Sequence, residues 1–387
     1  MSCVPKTLAC LAPCQGGAAC DADKLFIGFV GCRRRGRRRC CAAVGAAATV
    51  SYGVAAGTGP VAPGRRHSSD FRNPVGTHSR EGKGENPRRL TRTMMLARSA
   101  WRCVRCWGAV QTFETFEKRD ENPRSDLTGE AAGLRWLGEA EKDGGLVCSR
   151  VVEAGAHRLL EERIEEGTPT REKARLAGAA LARTHAAGAS WYGCPPPDWN
   201  GDGYVIGRSL TPVVPIEPAE ASKGWGAVCA TWRVMPHLRT IRNDDLVDAS
   251  EARLISHVAD RMAAGDFDSP EPELVHSRGH RCSRIHGDLW AGNLLWAAEG
   301  SRAAATGAAL IDPMASGGHA ETDLAMLQLF GCAYLDDFLA AYNDVSPLAD
   351  GWRDRVGIHQ LVPVLLHCVL FGESYVGLAL SIARRYA

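Results

Sequence analysis

The sequence predicts an α+β fold in two lobes, a small β-rich lobe followed by a larger helical one, behind a long basic extension. Three observations carry that reading. Strand-like apolar alternation is concentrated between residues 111 and 164, with one amphipathic helix set among the strands. From residue 171 onward the apolar spacing is mostly that of helices. Within that helical part a short strand, Ser283 to Ile285, leads into His286-Gly287-Asp288-Leu289-Trp290-Ala291-Gly292-Asn293, where an Asp is followed five positions later by an Asn.

Taken in order, Gln111 to Arg119 reads as a strand with Phe116 and Lys118 on one face. A polar turn from Asp120 to Asp126, around Pro123, leads into a helix over Thr128 to Ala140. That helix aligns Ala131, Leu134 and Leu137, and it carries Glu130 in its first turn, where a carboxylate suits the helix dipole. Gly144-Gly145 ends the unit. Val147 to Val152 and Arg158 to Ile164 read as further strands, and Gly167-Thr168-Pro169-Thr170 as a break. Arg171 to Ala187 is an amphipathic helix with Leu176, Ala180, Leu181 and Thr184 at helical spacing. Pro195-Pro196-Pro197 opens a long loop. Asp198-Trp199-Asn200-Gly201-Asp202-Gly203 copies the start of an EF-hand calcium loop, but Ser209 stands where the twelfth-position Glu is required and prolines replace the entering helix; it reads as a polar turn. Trp225 to Leu238 and Ala252 to Ala264 read as helices, and Glu321 to Phe330, Leu335 to Tyr342 and His359 to Arg385 close the chain.

Composition places this body among globular proteins: 387 residues, 45% hydrophobic and 23% charged, long enough for two or three domains. A net charge of +2 offers no global electrostatic case for nucleic acid. No apolar run in the sequence reaches the roughly 20 residues of a membrane span. The averages conceal a division, because nine of the fifteen cysteines lie within the first 106 residues. Asp21, Asp23 and Asp70 are the only acids up to Arg80, while Arg33-Arg34-Arg35 and Arg37-Arg38-Arg39 form a basic cluster. Residues 1–107 therefore read as a largely disordered basic, Cys/Ala/Gly-rich extension, residues 108–165 as the small lobe and residues 166–387 as the helical lobe. The extension has three readings: an organelle transit segment, a nuclear or anionic-surface signal, or a gene-model artefact. Location is accordingly cytoplasmic, or plastid or mitochondrial if the extension is a transit peptide. Cys103-Val104-Arg105-Cys106 lacks the second pair that a zinc site needs, and the six scattered cysteines of the body suit a reducing compartment.

The order of strands, one helix, then mostly helices is that of a two-lobed protein-kinase-like fold, and the Asp-to-Asn spacing of 288 and 293 is that of a phosphotransferase loop. Such a site positions reactants and neutralises charge. Asp288 would take the acceptor hydroxyl proton, with His286 bracing the loop. Asn293 and Asp312, the carboxylate ending the apolar run Ala308-Ala309-Leu310-Ile311, would bind magnesium through hard oxygens. Lys118 would reach the ATP phosphates, paired with Glu130.

With these residues in hand, the body from about 112 to 387 resembles the fructosamine kinase family of ketosamine-3-kinases, itself similar in fold to aminoglycoside and choline kinases. The resemblance rests on His286-Gly-Asp-Leu-Trp-x-Gly-Asn293, on Ile311-Asp312-Pro313 with Gly318-His319-Ala320-Glu321-Thr322-Asp323-Leu324-Ala325, and on the tail Leu361 to His367 with Phe371-Gly372-Glu373-Ser374-Tyr375. Glu130 to Leu137, Leu181 to His185 and Gly203 to Gly207 fit as well. The resemblance implies ATP- and Mg2+-dependent phosphorylation of the sugar 3-hydroxyl of a ribulosamine or fructosamine, free or on glycated proteins, which releases the sugar. It implies that Glu161, Glu162, Arg163 and Ile164 form the hinge where main-chain groups meet adenine, with Glu162 and Ile164 as cofactor-binding residues. It also implies that Trp290 faces the sugar or its amine. The family's glycine-rich phosphate loop is not recognisable in the window Met94 to Gly108. The competing readings are a kinase for another small hydroxylated amine and a nucleotide-binding pseudokinase.

Overall fold

The structure, a computed structural model, describes residues 113–214 and 222–387. The basic extension, the Cys103–Cys106 pair and the window of the phosphate loop lie outside the described residues.

The first strand, β1 (Thr115–Arg119), leads to α1 (Leu127–Gly138). Asp126 starts this helix from an extended backbone, its carboxylate accepting from the Thr128 N–H at 3.0 Å, which satisfies one of the unpaired donors of the first turn. The stretch expected as one strand from Val147 to Val152 is two: β2 (Val147–Cys148) and β3 (Val151–Gly155). Between them the Ser149 hydroxyl donates to the Glu162 carbonyl at 2.7 Å, and the chain passes from one sheet to another. β3 joins β4 (Arg158–Glu162), which is central in a three-stranded antiparallel sheet ordered β1-β4-β3. Sequence alternation cannot report this crossing, because Val147 and Cys148 are both buried.

The helix expected after the break is α2 (Arg171–His185), capped by Thr170. The loop that copies an EF-hand start is the approach to a hairpin of β5 (Gly203–Ile206) and β6 (Ser209–Pro212). Trp199 is buried there against Tyr204, ring centroids 4.7 Å apart, which is a packing role and not a calcium site. The helix expected over Trp225 to Leu238 starts as α3 (Trp225–Cys229), widens into a π-helical turn over Ala230–Val234 and continues as α4 (Met235–Asn243). Pro236 has no N–H to offer the carbonyl four residues earlier, and the wider turn accommodates it. α5 (Ala249–Ala264) carries a capping box between Asp248 and Glu251.

After the short α6 (Glu273–Ser277) come the strands β7 (Ser283–Ile285), β8 (Leu294–Trp296), β9 (Ala308–Leu310) and β10 (Ser316–Gly318). β10 pairs with β7, and β9 is central between β2 and β8. Four helices follow: α7 (Ala320–Phe330), α8 (Leu335–Val345), α9 (Trp352–Phe371) and α10 (Val376–Tyr386). The last two were expected as one helix over His359 to Arg385; Gly372, at φ +73°, interrupts it with a short 3-10 turn. The segment Trp352–Tyr386 is long and apolar enough to cross a membrane by composition alone. Its Ile358, Leu361, Val364, Leu365 and Val369 nevertheless pack into the core with α3, α4 and α5.

Two large cores result. One joins α1, β2 and β4 of the small lobe to α2, Leu289, Leu294, Leu310 and α7; the other is in the large lobe, mostly among its helices, with Tyr192, Val214 and Cys282 from the segments between them. Glu321 in the first turn of α7 ties the helices together. Its carboxylate accepts from Arg355 at 2.9 and 2.6 Å and meets His359 Nε2 at 3.3 Å. Burial alone would raise this carboxyl, but the hydrogen bonds from His359 and Arg355 outweigh it and pull it down to about 2. Burial pushes His359 down to about 4. Both shifts are downward, so the unfolded chain takes up more protons as the medium acidifies. The His359 contribution to stability is present above pH 6.5 and is lost toward pH 4. The Glu321 contribution is lost between pH 4.5 and about 2. Glu321→Ala is expected to remove roughly 3 kcal/mol of unfolding free energy in urea at pH 7. Its difference from the parent should shrink as the pH falls below 4.5; a difference that holds constant down to pH 2 contradicts the assignment.

Candidate active site

The octet from His286 to Asn293 leaves β7 and is held from behind. The main-chain N–H groups of His286 and Gly287 donate to the two carboxylate oxygens of Asp323, at 2.7 and 3.0 Å. Asp323 is 1% exposed; His185 Nε2 stands 3.1 Å from it, and the Tyr342 hydroxyl is 2.8 Å from His185 Nδ1. Burial works against the Asp323 charge, but hydrogen bonds from His185 and the His286 N–H, together with the influence of both imidazoles, keep its pKa below the usual carboxylate value. Gly287 has φ +84°, and a Cβ there would lie 2.3 Å from the Met314 carbonyl oxygen, so no other residue fits the bend that turns Asp288 outward.

His286 spans the loop. The Asp288 N–H donates to its Nδ1 at 3.2 Å, so its Nε2 carries the proton and donates to the Ile311 carbonyl at 2.8 Å, next to Asp312. The Asn293 amide NH2 donates to the Asp288 carbonyl at 2.8 Å and approaches its carboxylate at 3.3 Å, leaving Asn293 Oδ1 for another partner. Burial raises the Asp288 pKa, against the influence of His286 and His367. Trp290 is 42% exposed; its indole lies over Gly292, where a Cβ would be 2.3 Å from the ring. The structure therefore places Trp290 beside Asp288 in sequence but off the cavity wall that Asp288 lines.

Asp312 follows β9 at φ +53°, a strained setting for a non-glycine residue. Its carboxylate is 3.1 Å from Lys118 Nζ, which is 2.7 Å from Glu130. The structure thus brings together Lys118, Glu130 and Asp312 from β1, α1 and the end of β9. Burial opposes the Lys118 charge, yet Glu130 and Asp312 overcome it and hold the ammonium above the ordinary lysine value. Glu161 joins them: carboxylate oxygens of Glu130, Glu161 and Asp312 lie within 4.8 Å of one another, and burial pushes Glu161 up to about 6. Glu162 points the other way. Its N–H donates to the Arg150 carbonyl, its carbonyl accepts from Ser149, and its carboxylate accepts from Arg302 at 2.7 Å. The Glu162 N–H is thus already paired. Among the described residues no hydrogen bond occupies the main chain of Ile164.

The oxygens of Asn293 and Asp312 are hard donors and suit a hard divalent cation. A second group of potential ligands, His319, Glu321 and His359, is spent on hydrogen bonds with Ser269, Thr322 and Arg355 and serves the helix packing. On the other side of Asp288 a cavity opens among Tyr204, Trp225, Arg233, His237 and Ile285. Pro236 helps shape it: the Trp232 carbonyl, lacking the usual helical donor from residue 236, accepts from Arg233 at 3.2 Å, and Arg233 also donates to the Pro212 carbonyl.

A family model described as fructosamine kinase matches residues 113–386, which spans both lobes and every residue of this site. The chain belongs to the fructosamine kinase family. A crystal structure from Thermobifida fusca, provisionally named a fructosamine-3-kinase, is 36% identical with a TM-score of 0.59, over 72% of this chain and 86% of that one. It places this family member in the two-lobed kinase-like fold. A Lactiplantibacillus plantarum protein named a probable ketoamine kinase is 29% identical over 259 residues, 65% of this chain and 80% of its own length. An Enterococcus faecium protein of the same name is 44% identical, but over 107 residues that span 28% of this chain and 34% of that protein.

Sequence reasoning for this fructosamine kinase family member missed Asp323, His185, Tyr342, Arg233 and His237 as parts of the site. The sequence signal for the first two was their place in segments that carry the family resemblance, Gly318 to Ala325 and Leu181 to His185, which gave them no role. Asp323→Asn is expected to lower the unfolding free energy by about 2–4 kcal/mol, since it leaves loop donors and His185 without their charged acceptor. It should also speed amide exchange at His286 and Gly287 selectively; uniform exchange across the chain would contradict that anchoring role.

Proposed function

We propose that the protein is an ATP-dependent ketosamine-3-kinase, transferring the γ-phosphoryl group of ATP to the sugar 3-hydroxyl of ribulosamine or fructosamine adducts on lysine. The observation that carries this reading is the position of Asp288. It lies between the Lys118–Glu130–Asp312 group, which suits phosphates, and a mostly apolar cavity with a few polar groups, which suits a small acceptor. The family membership supports a ketosamine as the acceptor.

In this mechanism Lys118 holds the nucleotide phosphates, oriented by Glu130. The small lobe covers the nucleotide, and the hinge main chain at Glu162 and Ile164 meets adenine. Asn293 and Asp312 hold magnesium, which supplies charge neutralisation on the phosphates. Asp288 accepts the proton of the sugar hydroxyl as its oxygen attacks the γ-phosphorus, and ADP leaves with the electron pair of the broken bond. His286 fixes the distance between the base loop and Asp312 by bridging to Ile311. The phosphorylated adduct then separates from its amine, so glycated proteins are the macromolecular partners and deglycation the outcome.

Purified protein with magnesium, ATP and fructosyl-lysine or ribulosyl-lysine should form ADP only when the ketosamine is present. Asp288→Asn should lower kcat by about 100-fold or more with melting temperature preserved, as expected for loss of a general base. Retained turnover in that variant removes Asp288 from the role. Because a base must be ionised to act and burial raises its pKa, the acid limb of kcat/KM should lie above pH 3.8. Preference for some other hydroxylated amine in the same assay would replace the ketosamine assignment.

A further inference from the structure

One residue on the wall of the cavity beside Asp288 carries a polar atom that the fold leaves unused. His237 lies in α4, is 2% exposed, and its Nε2 is buried with no hydrogen-bond partner. Such an atom has given up its water and received nothing in return. The residue lines the same cavity as Asp288, together with Arg233 one turn earlier on the same helix. Burial, reinforced by the Arg233 charge, holds His237 down at about 4, so at neutral pH the imidazole is uncharged. A neutral imidazole nitrogen can donate or accept according to tautomer, and a sugar hydroxyl can do either in reply.

The surroundings also orient the acceptor. Among the described residues no carboxylate forms an ion pair with the buried Arg233 guanidinium, whose contacts there are the carbonyls of Pro212 and Trp232. A protonated amine brought close to Arg233 would meet a like charge, whereas a hydroxylated sugar would not. The amine end of the acceptor is therefore the end directed away from Arg233. Asp288 at one part of the wall and His237 at another can then address two hydroxyls of one sugar.

We propose that His237 is a specificity-determining residue that hydrogen-bonds through Nε2 to a hydroxyl of the acceptor sugar, other than the hydroxyl facing Asp288. This rests on the ketosamine reading of the cavity. It makes the fit of the acceptor depend on a second hydroxyl, so that amines bearing a single hydroxyl are poor substrates.

The test uses the full chain and compares His237→Leu and His237→Met, which fill similar volume without the nitrogen, with His237→Gln, which restores a donor and acceptor. For fructosyl-lysine, KM should rise about tenfold in the Leu and Met variants, the loss of one well-made hydrogen bond. The KM for ATP should move less than about twofold. The Gln variant should recover most of the acceptor affinity. Without ligand the Leu variant should melt at or above the parent temperature, because it removes a buried unpaired atom. A residue that merely packs the helix predicts the reverse, with lower melting and unchanged KM. If the Leu variant does not fold, the Met variant is read in the same way. Should the parent phosphorylate the ketosamine while Leu and Met variants keep its KM, or Gln prove as weak as they are, the inference falls and the proposed function stands. Should the parent instead prefer another hydroxylated amine, the proposed function falls, and the same variants decide the role of His237 on that acceptor. A parent that phosphorylates no hydroxylated acceptor overturns both.

Discussion

A single buried carboxylate organises the chemistry-bearing part of this protein. Asp323 sits in α7 with almost no solvent contact, an expensive position for a charge unless it is hydrogen-bonded. It is: two consecutive main-chain N–H groups, at His286 and Gly287, donate to its two oxygens, and His185 from α2 completes the arrangement. The consequence is positional. The loop cannot rotate without stripping a buried charge of its partners, so Asp288 is presented at a set place, and Gly287 supplies the backbone bend needed to turn it away from the anchor.

From that anchor the constraint passes along the site through hydrogen bonds of different kinds. His286 is fixed by its own backbone neighbour and reaches the carbonyl of Ile311, which fixes the start of the turn that carries Asp312. Asp312 in turn pairs with Lys118, drawing β1 of the small lobe to the end of β9 in the large one. β2 strengthens the same junction by pairing in parallel with β9. Arg302 adds a third tie, holding Glu141, Glu162 and the Cys148 carbonyl together. The lobes are joined at Lys118 and Asp312, and the first hydrophobic core runs across the same junction, including both Leu137 of α1 and Leu289 of the loop after β7.

Much of this was legible from residue order. The Asp288-to-Asn293 spacing, the apolar run ending in Asp312 and the first-turn Glu130 each reflect a local requirement, a loop length, a strand or a helix terminus, that leaves a local mark. The misreadings have equally definite causes. Three-residue strands such as β8 and β10 are too short to show alternation. The break between β2 and β3 is invisible because its residues are apolar on both sides of a change of partner. Glu162 was assigned to adenine by the resemblance; its N–H and carboxylate pair with Arg150 and Arg302 and its carbonyl accepts from Ser149, partners that only the fold brings to it.

The sequence by itself determined the class of fold, the identity of the loop that bears Asp288 and Asn293, and the family, because these depend on periodicity and on residue types at short, rigid spacing. Only the tertiary structure decided which polar residues meet across the molecule. Lys118 finds Asp312 at a separation of 194 residues, His185 finds Asp323 at 138, and His237, with its unpaired buried nitrogen, comes to line the cavity of Asp288. Those contacts depend on how helices and sheets pack. A buried charge or an unpaired nitrogen carries no local pattern; it becomes visible when the surrounding residues are in place to satisfy it or to leave it unsatisfied.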